Sequence, residues 1–287
     1  MYEAKRSGGR IVVHTDALRA VGQHRLDVEA GLRNALHSSG FLLDYQPQLD
    51  LRSGRLVGVE ALVRWRRADG ETVSPASFIP LAEETGLIVQ IGQVVLDQAC
   101  AEMAGWTSAA AGVRMAVNLS ARQFTEPGLV DRVGSALRRH RLRPDQLELE
   151  ITESVLMRDA EVALSTLRAL KSLGVAVAVD DFGTGYSSLA YLQRFPVDRV
   201  KVDRSFVATM NSEASASTRL VEAIVSMAHA LGMDVVAEGI EDPRQLDLVR
   251  SVGVDVAQGY VLGRPQSAGD LRNRLQQELL RPAQPVR

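Results

Sequence analysis

Short apolar runs alternate with amphipathic helical segments along most of this 287-residue chain, and this alternation constrains its fold more than any other feature. We predict eight strands, which helices separate from the second strand onward. The late strands are nearly continuous apolar runs, as is typical of strands covered on both faces. Eight strands with outer helices in roughly 250 residues predict an α/β fold, a closed (β/α)8 barrel. The predicted strands cover residues 41–48, 56–65, 113–119, 147–151, 175–179, 200–202, 235–237 and 254–257.

An open, doubly wound sheet is the alternative fold. It would usually carry a glycine-rich dinucleotide fingerprint after its first strand, and this sequence has none there. The segment before residue 25 is polar and predicts irregular structure. We predict helices over residues 25–37, 75–84, 89–106, 128–140, 160–173, 217–231, 243–252 and 269–280.

Charge and cysteine content exclude several classes of protein. Lys and Arg number 33 against 35 Asp and Glu, so we do not expect this chain to have a strongly basic surface that binds a nucleic-acid polymer. The single cysteine, Cys100, excludes an intrachain disulfide and a Cys-His zinc site. The longest apolar run, residues 175–179, is far shorter than the roughly 20 residues that span a bilayer. We therefore expect a cytoplasmic domain, and this sequence does not reveal membrane attachment of a longer parent protein.

Polar side chains end or follow most of the predicted strands. In a barrel the C-terminal strand ends converge on one face, where active sites lie. A single acidic residue in such a position is most often an ordinary solvated side chain, but the recurrence over several strands favours one common site. The residues are Glu60, Asn118, Glu150, Glu153, Asp180, Asp181, Lys201, Glu238 and Gln258.

Six of these groups are carboxylates, and one lysine cannot offset their charge. Unpaired buried carboxylates are costly, whereas hard divalent cations prefer carboxylate and amide oxygens. The adjacent pair Asp180 and Asp181 suits two ions, because one carboxylate can bridge while its neighbour reaches the second ion. The pattern therefore predicts a site for two divalent cations.

Two further features lie close to these acids. A loop over residues 181–189 contains Gly183 and Gly185, and we interpret it as a loop that positions the second ion. Arg64 follows Glu60 by four residues and therefore lies on the same side of its strand. Its guanidinium could pair with a phosphate or with a neighbouring acid, and the residues alone leave both open.

Nine segments resemble motifs of one family. The most specific is Glu60-Ala61-Leu62 within residues 58–65, and the others are residues 45–47, 78–88, 117–120, 148–153, 180–188, 201–203, 237–241 and 258–260. Together they resemble the EAL family of cyclic-di-GMP phosphodiesterases, over about residues 28–281.

The resemblance implies a TIM-like barrel whose first strand runs antiparallel to the rest. It implies two Mg²⁺ or Mn²⁺ ions per active site and hydrolysis of cyclic-di-GMP to linear pGpG, which lowers the level of this bacterial second messenger. It also suggests a homodimer formed near the loop after the fifth predicted strand.

The resemblance also implies roles for single residues. The first ion's ligands would be Glu60, Asn118, Glu150 and Asp180, and those of the second Asp180, Asp181 and Glu238. Lys201 and Gln258 would hold the water network near the ions, Glu153 would anchor the 181–189 loop, and Glu238 could be a base or only a ligand. Substrate contacts would be Gln46, Leu62 and Arg64, with Pro80, Asp203 and Glu241 as further neighbours of the substrate.

Residues 1–10 resemble the end of a diguanylate-cyclase (GGDEF) domain. We therefore expect residues 1–25 to be a linker and the tail of an upstream GGDEF-like domain, residues 26–281 to be the EAL domain, and residues 282–287 to be a C-terminal tail. Sensory domains would lie further upstream in the parent protein. Two other functions stay open: a non-catalytic receptor for cyclic-di-GMP, and an unrelated metal-dependent barrel hydrolase of another phosphodiester.

Overall fold

A closed ring of eight strands forms the centre of the molecule, in a computed structural model that describes residues 16–106, 112–184 and 189–280. The strand order is β1-β9-β8-β7-β6-β5-β4-β2-β3, and pairing of β1 with β2 closes the ring and leaves β3 outside it. The predicted barrel is confirmed. The strands are β1 Phe41–Asp50, β2 Leu56–Arg66, β3 Thr72–Val73, β4 Arg114–Leu119, β5 Leu147–Thr152, β6 Ala176–Phe182, β7 Arg199–Val202, β8 Asp234–Ala237 and β9 Val256–Gln258.

The first strand runs against all the others in the ring. It pairs antiparallel with β2, where Gln46 faces Glu60, and antiparallel with β9, where Gln48 faces Gln258. The remaining neighbours in the ring are parallel. The first strand is therefore antiparallel, as the resemblance implied.

Helices cover the outside of the ring and also fill several strand-to-helix connections. They are α1 Asp16–His37, α2 Pro75–Thr85, α3 Ile88–Ala104, α4 Ala121–Phe124, α5 Leu129–His140, α6 Glu153–Arg158, α7 Ala160–Leu173, α8 Leu189–Leu192, α9 Arg204–Ala208, α10 Ala216–Ala230, α11 Pro243–Ser251 and α12 Ala268–Leu280, with a 3₁₀ turn at Pro144–Gln146. Within the described residues, no helix combines the length and apolarity that crossing a bilayer requires.

Three aspects of the predicted secondary structure are wrong. Helix α1 begins at Asp16, so residues 16–24 are helical, because they are rich in strong helix formers although they carry no clear apolar stripe. The two-residue strand β3 and the one-turn helices α4, α6, α8 and α9 were too short to give a periodic signal. The last strand begins at Val256, because Val254 still donates to Val249 in the turn after α11. The predictions for residues 1–15, for residues 185–188 of the loop after β6 and for residues 281–287 fall outside the described residues.

Helix α1 packs on the outside of the barrel, over an aromatic cluster. Trp65 is 2% exposed and meets the Phe78 ring edge-on, with 5.8 Å between the ring centroids. A Cβ at Gly31 of α1 would come within 2.6 Å of Trp65, so only glycine lets the helix approach this closely. Leu32 is fully buried on the same helix.

The N-terminal end of the barrel contains its own ion pair. Glu148, fully buried on β5, accepts a hydrogen bond from Arg199 Nη1 of β7 at its Oε1, with a distance of 3.4 Å. Its Oε2 lies 3.2 Å from the same nitrogen and 3.6 Å from Arg114 Nη1. Asp234 Oδ2 lies 3.5 Å from Arg199 Nε, so two carboxylates face two arginines at this level, two residues before Glu150 on β5. Glu148 is therefore a structural residue, although it resembles the site acids in sequence.

We predict that α1 contributes to stability through one face only. Leu32→Ala removes a fully buried side chain and should lower the free energy of unfolding by about 2–5 kcal/mol. Leu26→Ala on the same helix changes a side chain that is 62% exposed and should cost less than about 0.5 kcal/mol. Urea unfolding of the two variants measures both values, and equal losses would contradict the packing of α1 on the barrel.

Candidate active site

The register of the strands brings the functional side chains into one inward-facing layer. Gln46 on β1 lies directly opposite Glu60 on β2, and Asn118 on β4 lies beside Glu150 on β5. Side chains alternate between the two faces of a strand, so residues at matching positions point to the same interior layer. This layer lies at the C-terminal end of the parallel strands.

Lys201 is at the centre of this layer and is 1% exposed. Its Nζ lies 2.6 Å from Glu238 Oε1, 2.7 Å from Glu150 Oε2 and 3.3 Å from Asp180 Oδ1. Glu60 Oε2 is slightly farther from it, at 3.9 Å. Carboxylates from four different strands or their ends therefore converge on one ammonium group.

Amide side chains complete the bonds of Glu60. Its Oε1 accepts Asn118 Nδ2 at 2.6 Å, and its Oε2 accepts Gln258 Nε2 at 2.6 Å. Gln258 also donates to Gln46 Oε1 at 3.1 Å and accepts from Gln48 Nε2 at 3.0 Å. Because these amides hold both oxygens, the position of Glu60 is fixed by its neighbours.

Burial and mutual repulsion raise the pKa of two of the carboxylates. Burial raises the pKa of Glu150 well above its usual value, opposed by Lys201 and reinforced by the surrounding carboxylates. Burial likewise raises the pKa of Glu238 to about 8, again against the attraction of Lys201. Both groups are therefore held in a site that accommodates their negative charge poorly.

Glu60 and Lys201, in contrast, keep their charge within the acidic ring, as we call Glu60, Glu150, Asp180 and Glu238 around Lys201. Burial opposes the ionisation of Glu60, but the charge of Lys201 and the hydrogen bonds from the two amides outweigh it and lower the pKa of this carboxyl. Burial also opposes the charge of Lys201, yet the carboxylates around it raise its pKa well above the ordinary value. One ammonium facing four carboxyl groups leaves the ring with an excess of negative charge when these groups are ionised.

The donor set of this ring fits hard divalent cations. Carboxylate and amide oxygens are the ligands that such ions prefer, and the buried Glu150 Oε1 has no hydrogen-bond partner in the structure. As placed, no three His, Cys, Asp or Glu side chains of the described residues form a group that could hold an ion, and the Lys201 ammonium lies among the four carboxylates. The residues therefore supply suitable ligands, arranged here around an ammonium group.

The loop after β6 is held by contacts outside the ring. Gly183 N–H donates to Glu153 Oε2 at 3.1 Å, and the backbone at Gly183 has φ +92°. A Cβ there would meet the Phe206 ring at 3.0 Å, so the loop is clamped between α6 and α9. Asp181 is also at positive φ and is exposed as a residue. Partial desolvation of its carboxyl group, together with the charges of Asp180 and Asp203, raises its pKa.

An acidic cavity of about 200 Å³ opens above the carboxylates that surround Lys201. Leu62 lines a separate apolar cavity beside Asn118, and Pro80 is exposed on α2. Asp203 caps α9 by accepting from Ser205 N–H at 3.0 Å. None of these three lines the acidic cavity, whose walls are Gln46, Glu60, Asp180, Arg204, Glu238, Gly239, Glu241, Gln258, Gly259 and Tyr260.

Arg64 forms the ion pair that the sequence had left open. Its Nε donates to Asp44 Oδ2 at 2.8 Å, and its Nη1 donates to the Val63 carbonyl at 3.1 Å. Arg204 and Tyr260 were assigned no role from the sequence, although Arg204 directly follows the 201–203 segment and Tyr260 ends the 258–260 segment. Their position just beyond β7 and β9 was the available signal.

The EAL domain family matches residues 29–265, most of the chain. The chain belongs to the EAL family. Its sequence is 44% identical over 273 residues to "Bifunctional diguanylate cyclase/cyclic di-GMP phosphodiesterase MucR" of Pseudomonas aeruginosa, covering 94% of this chain and 40% of that protein. The family expected from the motifs is therefore confirmed.

Solved structures of EAL domains superpose closely on this one. "PaMucR Phosphodiesterase, c-di-GMP complex" is 45% identical, with a TM-score of 0.81 over 85% of this chain and 99% of that chain. "EAL Enzyme Bd1971", in a form bound to cAMP and cyclic-di-GMP, is 30% identical, with a TM-score of 0.83 over 89% of this chain and 70% of that chain. The chain spans 31–40% of the length of three curated relatives that it matches.

We predict that Lys201 stabilises the fold by balancing part of the charge of the four carboxylates around it. Lys201→Met leaves four buried or partly buried carboxylates without their cation and should destabilise the protein in chelator by about 3–5 kcal/mol. Added Mg²⁺ should recover part of the loss. Lys171→Met is the matched control, because Lys171 is 30% exposed in its pair with Asp198 and should cost at most about 1 kcal/mol. Denaturant unfolding with and without Mg²⁺ measures this, and equal losses for the two lysines would contradict the prediction.

Proposed function

We propose that this EAL domain hydrolyses cyclic-di-GMP to linear pGpG and so lowers the level of this second messenger in bacterial signalling. The convergence of Glu60, Glu150, Asp180 and Glu238 on one point carries this proposal. The similarity to an EAL phosphodiesterase in complex with cyclic-di-GMP supports the choice of substrate.

We further propose that two Mg²⁺ or Mn²⁺ ions bind in the ring. Glu60, Asn118, Glu150 and Asp180 would hold the first ion, and Asp180, Asp181 and Glu238 the second. Ions bound there would supply Lewis-acid stabilisation of the phosphoryl oxygens and a water of lowered pKa. The excess of four carboxyl groups over the single ammonium of Lys201 supports this assignment.

The chain's own residues orient the reacting groups. Gln258 and Asn118 fix the Glu60 carboxylate through two hydrogen bonds of 2.6 Å, so its oxygens cannot rotate away from the cavity. Lys201 keeps its proton and can stabilise charge that grows on the phosphoryl oxygens. Glu238 lines the cavity and is a candidate either to bind a cation or to accept a proton from the attacking water.

The direct test is to incubate the purified chain with cyclic-di-GMP in Mg²⁺, with and without excess chelator, and to separate the products. We expect linear pGpG in Mg²⁺ and none in chelator. Binding of cyclic-di-GMP without product in either Mg²⁺ or Mn²⁺ would favour a receptor. Hydrolysis of other phosphodiesters but not of cyclic-di-GMP would favour an unrelated hydrolase.

We predict that the charge of Glu60 is required for turnover. Glu60→Gln keeps the size of the side chain but removes a charge from the proposed first cation site, and kcat should fall at least about 100-fold with a weaker apparent affinity for Mg²⁺. The matched control is Glu148→Gln, another buried strand glutamate, which should lower stability but leave turnover nearly unchanged because it lies at the opposite end of the barrel. Wild-type turnover in Glu60→Gln would contradict the assignment.

We predict that Arg64 contacts a substrate phosphate in addition to Asp44. Arg64→Ala should raise KM for cyclic-di-GMP roughly tenfold or more, because a charge-assisted hydrogen bond contributes about 1.5–3 kcal/mol, and should leave Mg²⁺ activation unchanged. Asp44→Asn breaks the same ion pair but keeps the guanidinium, so it should leave KM unchanged or lower it. If both variants raise KM equally, Arg64 acts only through its ion pair.

We also propose that the domain works within a longer protein, as a homodimer and downstream of GGDEF-like and sensory domains. The chain covers less than half the length of these curated relatives, which supports a place within a longer protein. Tyr191 on α8, close after the β6 loop, supports the homodimer, because this aromatic side chain is 38% exposed and could contact a second copy. Its ring stacks on Phe195 of the same chain. Sedimentation of the purified chain tests the dimer, and a monomer at all concentrations would exclude it for this chain.

A further inference from the structure

The acidic cavity has one cationic side chain at its rim. Among the described residues that line it, Glu60, Asp180, Glu238 and Glu241 are acids and Arg204 carries the single guanidinium. Arg204 is exposed and makes no ion pair or hydrogen bond with its side chain to any residue that the structure describes. A guanidinium that stays unpaired beside four acids is available to an anionic ligand.

The backbone holds the stem of Arg204 against the site. Arg204 is the first residue of α9, directly after the Asp203 cap. Gly239, next to Glu238, has φ +68°, and a Cβ there would collide with Arg204 Cβ and lie 3.3 Å from its Cα. The absence of a side chain at Gly239 therefore lets the arginine pack onto the loop after β8, at the edge of the cavity.

Arg204 and Arg64 lie on opposite sides of the barrel mouth. Arg64 belongs to β2 and Arg204 follows β7, and the closed ring places four strand steps between β2 and β7 in either direction. The carboxylates and Lys201 lie between them. The mouth thus has a guanidinium on each of two opposite sides, separated by the ring of acids.

A cyclic dinucleotide has two phosphodiesters on opposite sides of its macrocycle, and only one is cleaved at a time. We propose that Arg204 binds the phosphodiester that is not being cleaved and so selects a substrate with two phosphates. This assignment rests on the proposed function, because it takes cyclic-di-GMP as the substrate. Arg264 is a weaker candidate, since its guanidinium already stacks over the Tyr260 ring at 4.4 Å.

The test compares a substrate that has two phosphodiesters with one that has a single phosphodiester. Arg204→Met keeps the packed stem and removes the charge, and Arg204→Lys keeps the charge without the forked donors. For cyclic-di-GMP we expect kcat/KM of Arg204→Met to fall roughly tenfold to a hundredfold, with partial recovery in Arg204→Lys. For bis(p-nitrophenyl) phosphate, which has no second phosphodiester, kcat/KM should stay within about twofold of wild type.

Arg244→Met is the matched control, because Arg244 is exposed near the start of α11, on the same face of the barrel, and does not line the cavity. It removes the same charge and should leave both activities unchanged. Thermal unfolding of all variants checks that the fold is retained.

Each other outcome overturns the assignment. Equal losses on both substrates would mean that Arg204 acts on the cleaved phosphate or on the fold, and no loss on cyclic-di-GMP would remove Arg204 from the substrate site. An equal loss of kcat/KM for cyclic-di-GMP in Arg244→Met would mean that the effect comes from the removed positive charge in general and not from the position of Arg204. If wild type fails to hydrolyse cyclic-di-GMP, the proposed function itself has failed; if wild type and Arg204→Met hydrolyse it equally, only the Arg204 assignment has failed.

Discussion

The balance of charge around Lys201 is the constraint on which the rest of the site depends. Burying an ion without a partner costs several kcal/mol, so the carboxylates can stay in the barrel only with a compensating cation. Lys201, 1% exposed, supplies one positive charge to the four carboxyl groups around it. Burial raises the pKa of Glu150 and Glu238, and the repulsion between neighbouring carboxylates raises it further. The same excess of negative charge favours the binding of additional cations by these carboxylates.

Buried glutamates at the two ends of the barrel have different partners. Glu148 and Glu150 are two residues apart on β5 and both are buried, so they point to the same interior. Glu148 meets two arginine side chains, whereas Glu150 shares one lysine with three other acids. The partners, and not the glutamate itself, decide which position is structural and which can bind a cation.

The sequence predicted the barrel and the residues of its charged layer because both follow from periodic signals. Apolar strands repeat, and their C-terminal ends meet on one face, so Glu60, Asn118, Glu150 and Asp180 could be grouped before any coordinates. It could not decide between a phosphate and Asp44 as the partner of Arg64, since that depends on the β1–β2 register. Short helices such as α9 leave no periodic trace, and Arg204 was missed with it.

The excess negative charge creates a problem for an anionic substrate that the fold has to solve. A phosphodiester entering the mouth meets Asp180, Glu238 and Glu241 on the cavity wall and is repelled unless positive charge lies between them. Cations held by the ring can provide that charge at the bottom of the cavity, and arginines can provide it only from the rim, where carboxylates do not neutralise them. Arg204 meets this condition, whereas Arg64 meets it in part because Asp44 already takes its Nε. We infer that affinity for a phosphodiester depends on the cations and these rim arginines together, and that neither group is sufficient alone.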